Sequence, residues 1–148
     1  MNSKFHFITL IVIMLLSLSS ACLLGNQKGC LIKMKNGETI NIALNKTAII
    51  KDIWEDESLR DWNIKIKVLA LKKEEAQIQV TSPTFLGKDF NESKFIKIGE
   101  FISIIQSEEI TTKIELKKVM GNKATLSLKV QSAPPAPELS KSFDVEIN

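Results

Sequence analysis

The sequence predicts an all-β domain: an antiparallel β-sandwich of immunoglobulin-like or partly open barrel form. Apolar and polar residues alternate in short segments along most of the chain, which is typical of strands with one buried and one solvated face. Turn residues separate these segments, and no stretch has the spacing of a convincing amphipathic helix. With 148 residues, 44% hydrophobic and 25% charged, the chain has the size and composition of one globular domain.

The alternating segments amount to about eight strands. The dipeptide Asn36-Gly37 predicts a hairpin between the first two, because both residues accept the positive φ angles of a type I′ turn. Residues 48–59 are the only helical candidate, and they are long enough for one or two turns. The predicted strands are residues 31–35, 38–44, 62–71, 76–81, 95–105, 111–119, 124–131 and 142–147.

The chain also shows signs of a weak internal duplication. Two Gly-Glu pairs and two pairs of strands recur with matched spacing, and the first copy carries an insertion at roughly residues 47–61. Chance resemblance between alternating strands explains the same pattern equally well. The matched features are Gly37-Glu38 with Gly99-Glu100, and the ten-residue steps from Ile66 to Ala76 and from Ile114 to Ala124.

The N-terminal region has the layout of a secretory signal peptide. A short start containing Lys4 precedes an apolar run over residues 7–18, and small residues follow at positions 19–21. The apolar run is too short to cross a membrane, which takes about 20 apolar residues. We therefore expect residues 1–21 to be a signal peptide and the rest of the chain to be exported.

Residues 18–22, Leu-Ser-Ser-Ala-Cys, resemble the lipobox of bacterial lipoproteins, although Ser19 stands where the family usually has an aliphatic residue. The resemblance implies that Cys22 becomes the acylated N-terminal residue and anchors the chain to a membrane of the bacterial cell envelope. Residues 22–29 would then be a flexible leader, and residues 30–148 a single β-sandwich domain.

Cleavage after Ala21 by an ordinary signal peptidase is the alternative, because Ser19 and Ala21 also fit its small-residue pattern. The protein would then be secreted or periplasmic. Cys22 and Cys30 would form a disulfide in that oxidising compartment. The two uses of Cys22 exclude each other.

Composition argues against several classes of chemistry. The single histidine, His6, lies in the signal peptide, so the exported chain has no imidazole for a catalytic triad. The six glycines are dispersed, so no phosphate-binding loop is present. Removing Lys4 lowers the formal net charge from +3 to +2, and Arg60 is the only arginine. We therefore expect no nucleic-acid partner, no metal, no cofactor and no enzymatic activity.

The segment 52–62 holds five of the 17 acidic residues and both tryptophans, Trp54 and Trp62. Large aromatic side chains are enriched where proteins bind partners, although both tryptophans could instead fill the core. Paired carboxylates could also make the protein a small secreted hydrolase. The candidate carboxylates for this alternative are Asp52, Glu55, Asp56 and Asp61.

A long connection over residues 82–93 carries Phe85 and Phe90. Long loops on a rigid sandwich often bind partners, so both phenylalanines join Trp54 and Trp62 as candidate partner-binding residues. A secreted inhibitor that presents this loop is a further alternative. The sequence favours a non-enzymatic binding or structural module in the cell envelope, whose partner is a protein or a glycan.

Overall fold

The computed structural model describes residues 30–148, and side chains from Leu31 onward. Residues Leu31–Asn148 form one compact unit. The predicted signal peptide 1–21, the leader 22–29, the acylation of Cys22 and the alternative Cys22–Cys30 disulfide all lie outside the described residues. Within the described range, no helix is long and apolar enough to span a membrane.

The described residues form ten strands and one short 3₁₀ helix, Glu57–Leu59, which lies between the third and fourth strands. The strands are β1 (Cys30–Met34), β2 (Thr39–Ala43), β3 (Thr47–Lys51), β4 (Ile64–Leu71), β5 (Glu75–Ser82), β6 (Phe90–Lys97), β7 (Phe101–Ile105), β8 (Ile110–Met120), β9 (Lys123–Ser132) and β10 (Phe143–Ile147).

Two antiparallel sheets pack face to face, which confirms the predicted β-sandwich. The six-stranded sheet has the order β1-β10-β3-β4-β5-β6, and the four-stranded sheet has the order β2-β9-β8-β7. The edge strands β6 and β7 are joined by the short turn 98–100, so one side of the sandwich carries a free edge of each sheet.

The core is built by strand alternation. In β4, Ile64, Ile66 and Val68 are fully buried, whereas Lys65 and Lys67 between them are exposed. Successive side chains of a strand point to opposite faces, so one face of each sheet supplies the apolar layer. Burial of this layer is the main favourable contribution to folding. The largest fully buried side chains include Phe143, Ile42, Ile50, Ile53, Ile64, Ile66, Ile78 and Ile96.

The strand count of ten differs from the predicted eight at two places. β3 lies inside the segment that the sequence suggested as an insertion with a short helix, and Ala48 and Ile50 of β3 are buried by alternation. The predicted strand 95–105 is two strands, because Gly99 adopts a φ of +89° and turns the chain from one sheet to the other.

The predicted hairpin at Asn36-Gly37 is wrong, because β1 and β2 belong to different sheets. Gly37 has a φ of +87°, but Asn36 is not among the residues with positive φ, so the turn is not type I′. The Asn36 side chain instead donates to the Val130 carbonyl and accepts from the Val130 N–H, both at 2.8 Å. Asn36 lies before the first residue of β2, so its side chain extends the hydrogen bonding between this part of the chain and β9 beyond the N-terminal end of β2.

The repeated sequence features correspond to repeated structure. The hairpins β4–β5 and β8–β9 share one register: Ile66 lies opposite Val80, and Ile114 lies opposite Leu128. Each hairpin has a register irregularity at the matching place, after Val68 and after Leu116. One hairpin lies in each sheet, so the matched segments occupy different sheets of the sandwich.

The two Gly-Glu turns are also alike. The N–H groups of Lys35 and Lys97 donate to the carboxylates of Glu38 and Glu100 at 2.8 and 2.9 Å. In each turn the glutamate N–H donates back to the lysine carbonyl. Both turns carry the chain from an edge of the six-stranded sheet to an edge of the four-stranded sheet. The shared Gly-Glu sequence therefore corresponds to the same kind of connection between the two sheets.

An ion pair between β3 and β10 should make stability depend on pH. The hydrogen bond between Lys51 and Glu146 raises the pKa of Lys51 above 10.5 and lowers the pKa of Glu146 below 4.5. The unfolded carboxyl group therefore binds protons more readily than the folded one, so this contribution is lost as the pH falls below 4.5. By the same reasoning for the amine, the contribution is lost as the pH rises above 10.5.

We expect Glu146→Gln to be modestly destabilising near neutral pH and to approach wild-type stability in acid. Urea unfolding of both proteins at a series of pH values measures this difference. Glu108→Gln removes an exposed carboxylate that is in no ion pair with another described residue, and serves as the control. A Glu146→Gln effect that stays constant down to acidic pH would contradict the assignment.

Candidate functional site

Two of the four aromatic residues singled out in the sequence meet at the surface. The ring centroids of Trp62 and Phe85 lie 4.0 Å apart, with an angle of 34° between the ring planes. Phe85 is 45% exposed, and the next residue, Leu86, is 63% exposed. We call Trp62, Phe85 and Leu86 the aromatic patch. Its centre is apolar and open to solvent, which is typical of a protein-binding surface.

The loop that carries the aromatic patch is held by its own hydrogen bonds. The Thr84 hydroxyl accepts from the Leu86 N–H at 3.2 Å and donates to the Lys88 carbonyl at 2.8 Å. Gly87 allows the turn with a φ of +80°. The loop spans residues 83–89 and is shorter than the 82–93 expected from the sequence, because Ser82 ends β5 and β6 begins at Phe90.

A network of hydrogen bonds among buried polar side chains lies between this loop and the core. The Gln106 side chain donates to the Ser82 hydroxyl at 3.0 Å and accepts from the Thr112 hydroxyl at 2.8 Å. The backbone carbonyl of Gln106 also accepts a hydrogen bond from the Phe85 backbone N–H at 2.9 Å. All three side chains of the network are at most 2% exposed. The network therefore joins β5, β8 and the loop, and it fixes Phe85 relative to both sheets.

Trp54 and Phe90 lie mostly in the core. Trp54 is 5% exposed, and its backbone forms an isolated bridge with Leu139. Its indole N–H has no hydrogen-bond partner among the described residues. Phe90 is partly buried and packs against the core. These two residues therefore present little surface to a partner, and the aromatic patch is formed without them.

The acidic residues of segment 52–62 are exposed, and Asp56 has a structural role. Its carboxylate accepts from the Ser58 N–H at 2.8 Å and caps the 3₁₀ helix. Hydrogen bonds from the Ser58 side chain and backbone lower the pKa of Asp56. A glycosidase proton donor needs the opposite shift, so Asp56 is poorly suited to act as a general acid.

Metal-ligating groups are not gathered in the described range. Among residues 30–148, no group of three or more His, Cys, Asp or Glu side chains is placed to hold an ion. The carboxylate of Glu57, in the acidic segment, lies 3.6 Å from Arg60 instead. Both side chains of this pair are largely exposed, so it contributes little to stability.

Further exposed apolar residues, not among the candidates expected from the sequence, lie at the free sheet edges. Phe95 on β6 and Phe101 on β7 are 41% and 47% exposed. Lys72 lies over the Phe95 ring at 4.4 Å, and Lys113 lies over the Phe101 ring at 5.2 Å. Each of these rings therefore makes a cation–π contact with a lysine, whereas Phe85 makes none with a described lysine.

Comparisons of this chain with protein-family models, with curated proteins and with solved structures find no match.

Proposed function

We propose that this chain is a lipoprotein of the bacterial cell envelope whose β-sandwich is a non-enzymatic binding module. The lipobox-like sequence ending at Cys22 supports the anchor, because acylation of that cysteine would hold the domain at a membrane. The aromatic patch supports the binding role, since it exposes the neighbouring apolar side chains of Phe85 and Leu86 on a loop held by its own hydrogen bonds. That patch is the observation on which the proposal mainly rests.

The partner that fits the aromatic patch best is a protein. Phe85 lies over the indole of Trp62 at 4.0 Å, and Trp62 is partly buried against the core, so little of the indole is left for a sugar ring to stack on. The apolar centre is followed along the loop by the exposed charges of Lys88 and Asp89. An apolar centre with a charged rim is the usual anatomy of a protein interface.

We expect a photoreactive side chain at position 86 to form a protein adduct in cells of the source bacterium. A proteolytic digest of the adduct should contain peptides of a second protein, whereas a glycan adduct would give peptides of this chain alone. Phe85→Ala should lower the adduct yield about thirtyfold, because removal of a hot-spot aromatic typically costs about 2 kcal/mol of binding energy. The thermal unfolding midpoint should change little, since Phe85 is 45% exposed.

Position 120 provides the matched control, because Met120 is 65% exposed at the far end of β8 and lies outside the aromatic patch. The same photoreactive side chain there should not give the position-86 adduct. Identical adducts from both positions, or an adduct from position 86 that Phe85→Ala leaves unchanged, would contradict the proposal.

A further inference from the structure

Strand β6 is an edge with a free side. Each of its residues, from Phe90 to Lys97, pairs with β5, from Ser82 back to Glu75. No other described strand lies along its second side. Half of its backbone N–H and C=O groups therefore face outward, and a strand from another chain could add to them.

Between Asp89 and Lys97, four charged residues lie along this edge in an ordered pattern. Two acids, Asp89 and Glu92, come first, and two bases, Lys94 and Lys97, follow. None of the four is in an ion pair with another residue of the range 30–148. A strand with acids at one end and bases at the other is complementary to an antiparallel copy of itself.

We propose that β6 pairs antiparallel with β6 of a second copy of this chain, centred on Ser93. In this register Glu92 of each copy lies opposite Lys94 of the other. Asp89, directly before the strand, lies opposite Lys97 in the same way. The symmetry gives four pairs of opposite charge across one two-fold axis, and directly opposed opposite charges stabilise strand pairing.

The apolar residues fit the same register. On the core side of the strand, Phe90 of one copy lies opposite Ile96 of the other. Phe90 is partly buried and Ile96 is fully buried, so both already belong to the inner layer of the sheet. The paired β6 strands would join two six-stranded sheets into one continuous sheet.

Neighbouring registers are excluded by charge. The inner faces of the two sheets stay on the same side only when the two-fold axis passes through a residue of β6, and not between two residues. Moving the axis by one residue in either direction places like charges opposite each other. Centring on Glu92 brings two carboxylates together, and centring on Lys94 brings two ammonium groups together. Charges on an edge strand commonly prevent pairing, and here they disfavour the two registers next to the proposed one.

A cysteine at the proposed centre tests the pairing in the full-length protein. In Ser93→Cys the two thiols lie opposite each other, where Cα atoms are about 4.5–5.5 Å apart and a disulfide can form. Asn91→Cys is the matched control on the same face, because its two copies would be offset by about 13 Å along the strands. Non-reducing gels of envelope fractions should show a dimer for Ser93→Cys, above the wild-type background from Cys22 and Cys30, and none for Asn91→Cys.

Charge reversal then tests the register in the Ser93→Cys background. Lys94→Glu places a carboxylate opposite Glu92 on both sides of the axis and should lower the dimer yield about tenfold. The double variant Glu92→Lys/Lys94→Glu restores opposite charges and should recover the dimer. Lys94 is exposed and Glu92 is half-buried at the edge of the sheet, and circular dichroism of the purified variants should match the wild type.

Equal dimer yields from Ser93→Cys and Asn91→Cys would overturn the proposal, as would no dimer from either variant. Failure of the double variant to recover the dimer, with its circular dichroism unchanged, would overturn the register. These outcomes are independent of the aromatic patch, because Lys94→Glu should leave the position-86 adduct intact.

Discussion

Replacing Phe143 with alanine is expected to destabilise the domain by about 3–5 kcal/mol. Phe143 is fully buried and is the largest fully buried side chain of the described range. It begins β10, which lies between β1 and β3 in the six-stranded sheet. Truncation there loses the transfer free energy of the ring and leaves a cavity that neighbouring strands cannot close.

Guanidinium unfolding measures this loss as a shift of the midpoint at constant slope. Phe101→Ala is the matched control, because Phe101 is 47% exposed and its loss should cost below about 1 kcal/mol. If Phe143→Ala fails to fold, Phe143→Leu keeps most of the volume and should show a smaller loss in the same direction. Equal effects at positions 143 and 101 would contradict the core assignment.

Gln106→Leu is expected to destabilise the domain by about 2 kcal/mol or more, although the substitution is close in volume. Leucine leaves the Thr112 hydroxyl without its acceptor and the Ser82 hydroxyl without its donor. Both hydroxyls are buried, so water does not replace the lost amide. The loop that carries Phe85 should therefore open more readily, which amide hydrogen exchange at Phe85 measures directly.

A double-mutant cycle with Thr112→Val separates the network from simple packing. The double variant should lose less free energy of unfolding than the sum of the two single variants. With both side chains replaced, neither the amide of Gln106 nor the hydroxyl of Thr112 is left buried without the other. Gln131→Leu, on the exposed side of β9, is the control and should change stability by less than about 0.5 kcal/mol. Strictly additive losses from positions 106 and 112 would show that the hydrogen bond carries no coupling energy.

Alternation predicted most of the sandwich because one buried face per strand is a local property. β4, β5, β8 and β9 agree with their predicted ranges to within about two residues, as expected of long alternating segments. β3 was missed because its five residues run directly into the acidic segment, which obscured the alternation of Ala48 and Ile50. The sequence prediction placed Gly99 inside the strand 95–105, but its positive φ turns the chain there from one sheet to the other.

The Asn36 turn shows why sheet membership could not be predicted. Asn-Gly between alternating segments is the usual signal of a hairpin. Here the Asn36 side chain binds the backbone of Val130, which is 94 residues away in the sequence. A contact at that separation leaves no local trace, so the sequence indicated a turn without indicating which sheets the turn joins.

The site was partly predictable for the same reason. Phe85 was identified by its loop, and Trp62 by the unusual segment that contains it, but their contact joins distant parts of the chain. The network beneath them did leave a signal. Ser82, Gln106 and Thr112 are polar residues at positions where alternation directs the side chain inward. Buried polar residues need partners, so these positions could have been grouped as a network.

The intact mass of native protein from the envelope fraction tests the proposed lipoprotein anchor most directly. We expect a chain that begins at Cys22 and carries the added mass of its acyl groups. Cys22→Ser should lose the acyl mass and leave the membrane fraction, whereas Cys30→Ser should keep the acyl mass and stay in the membrane fraction. A chain that begins at Cys22 without acyl mass, and two hydrogens lighter through a Cys22–Cys30 disulfide, would contradict the anchor.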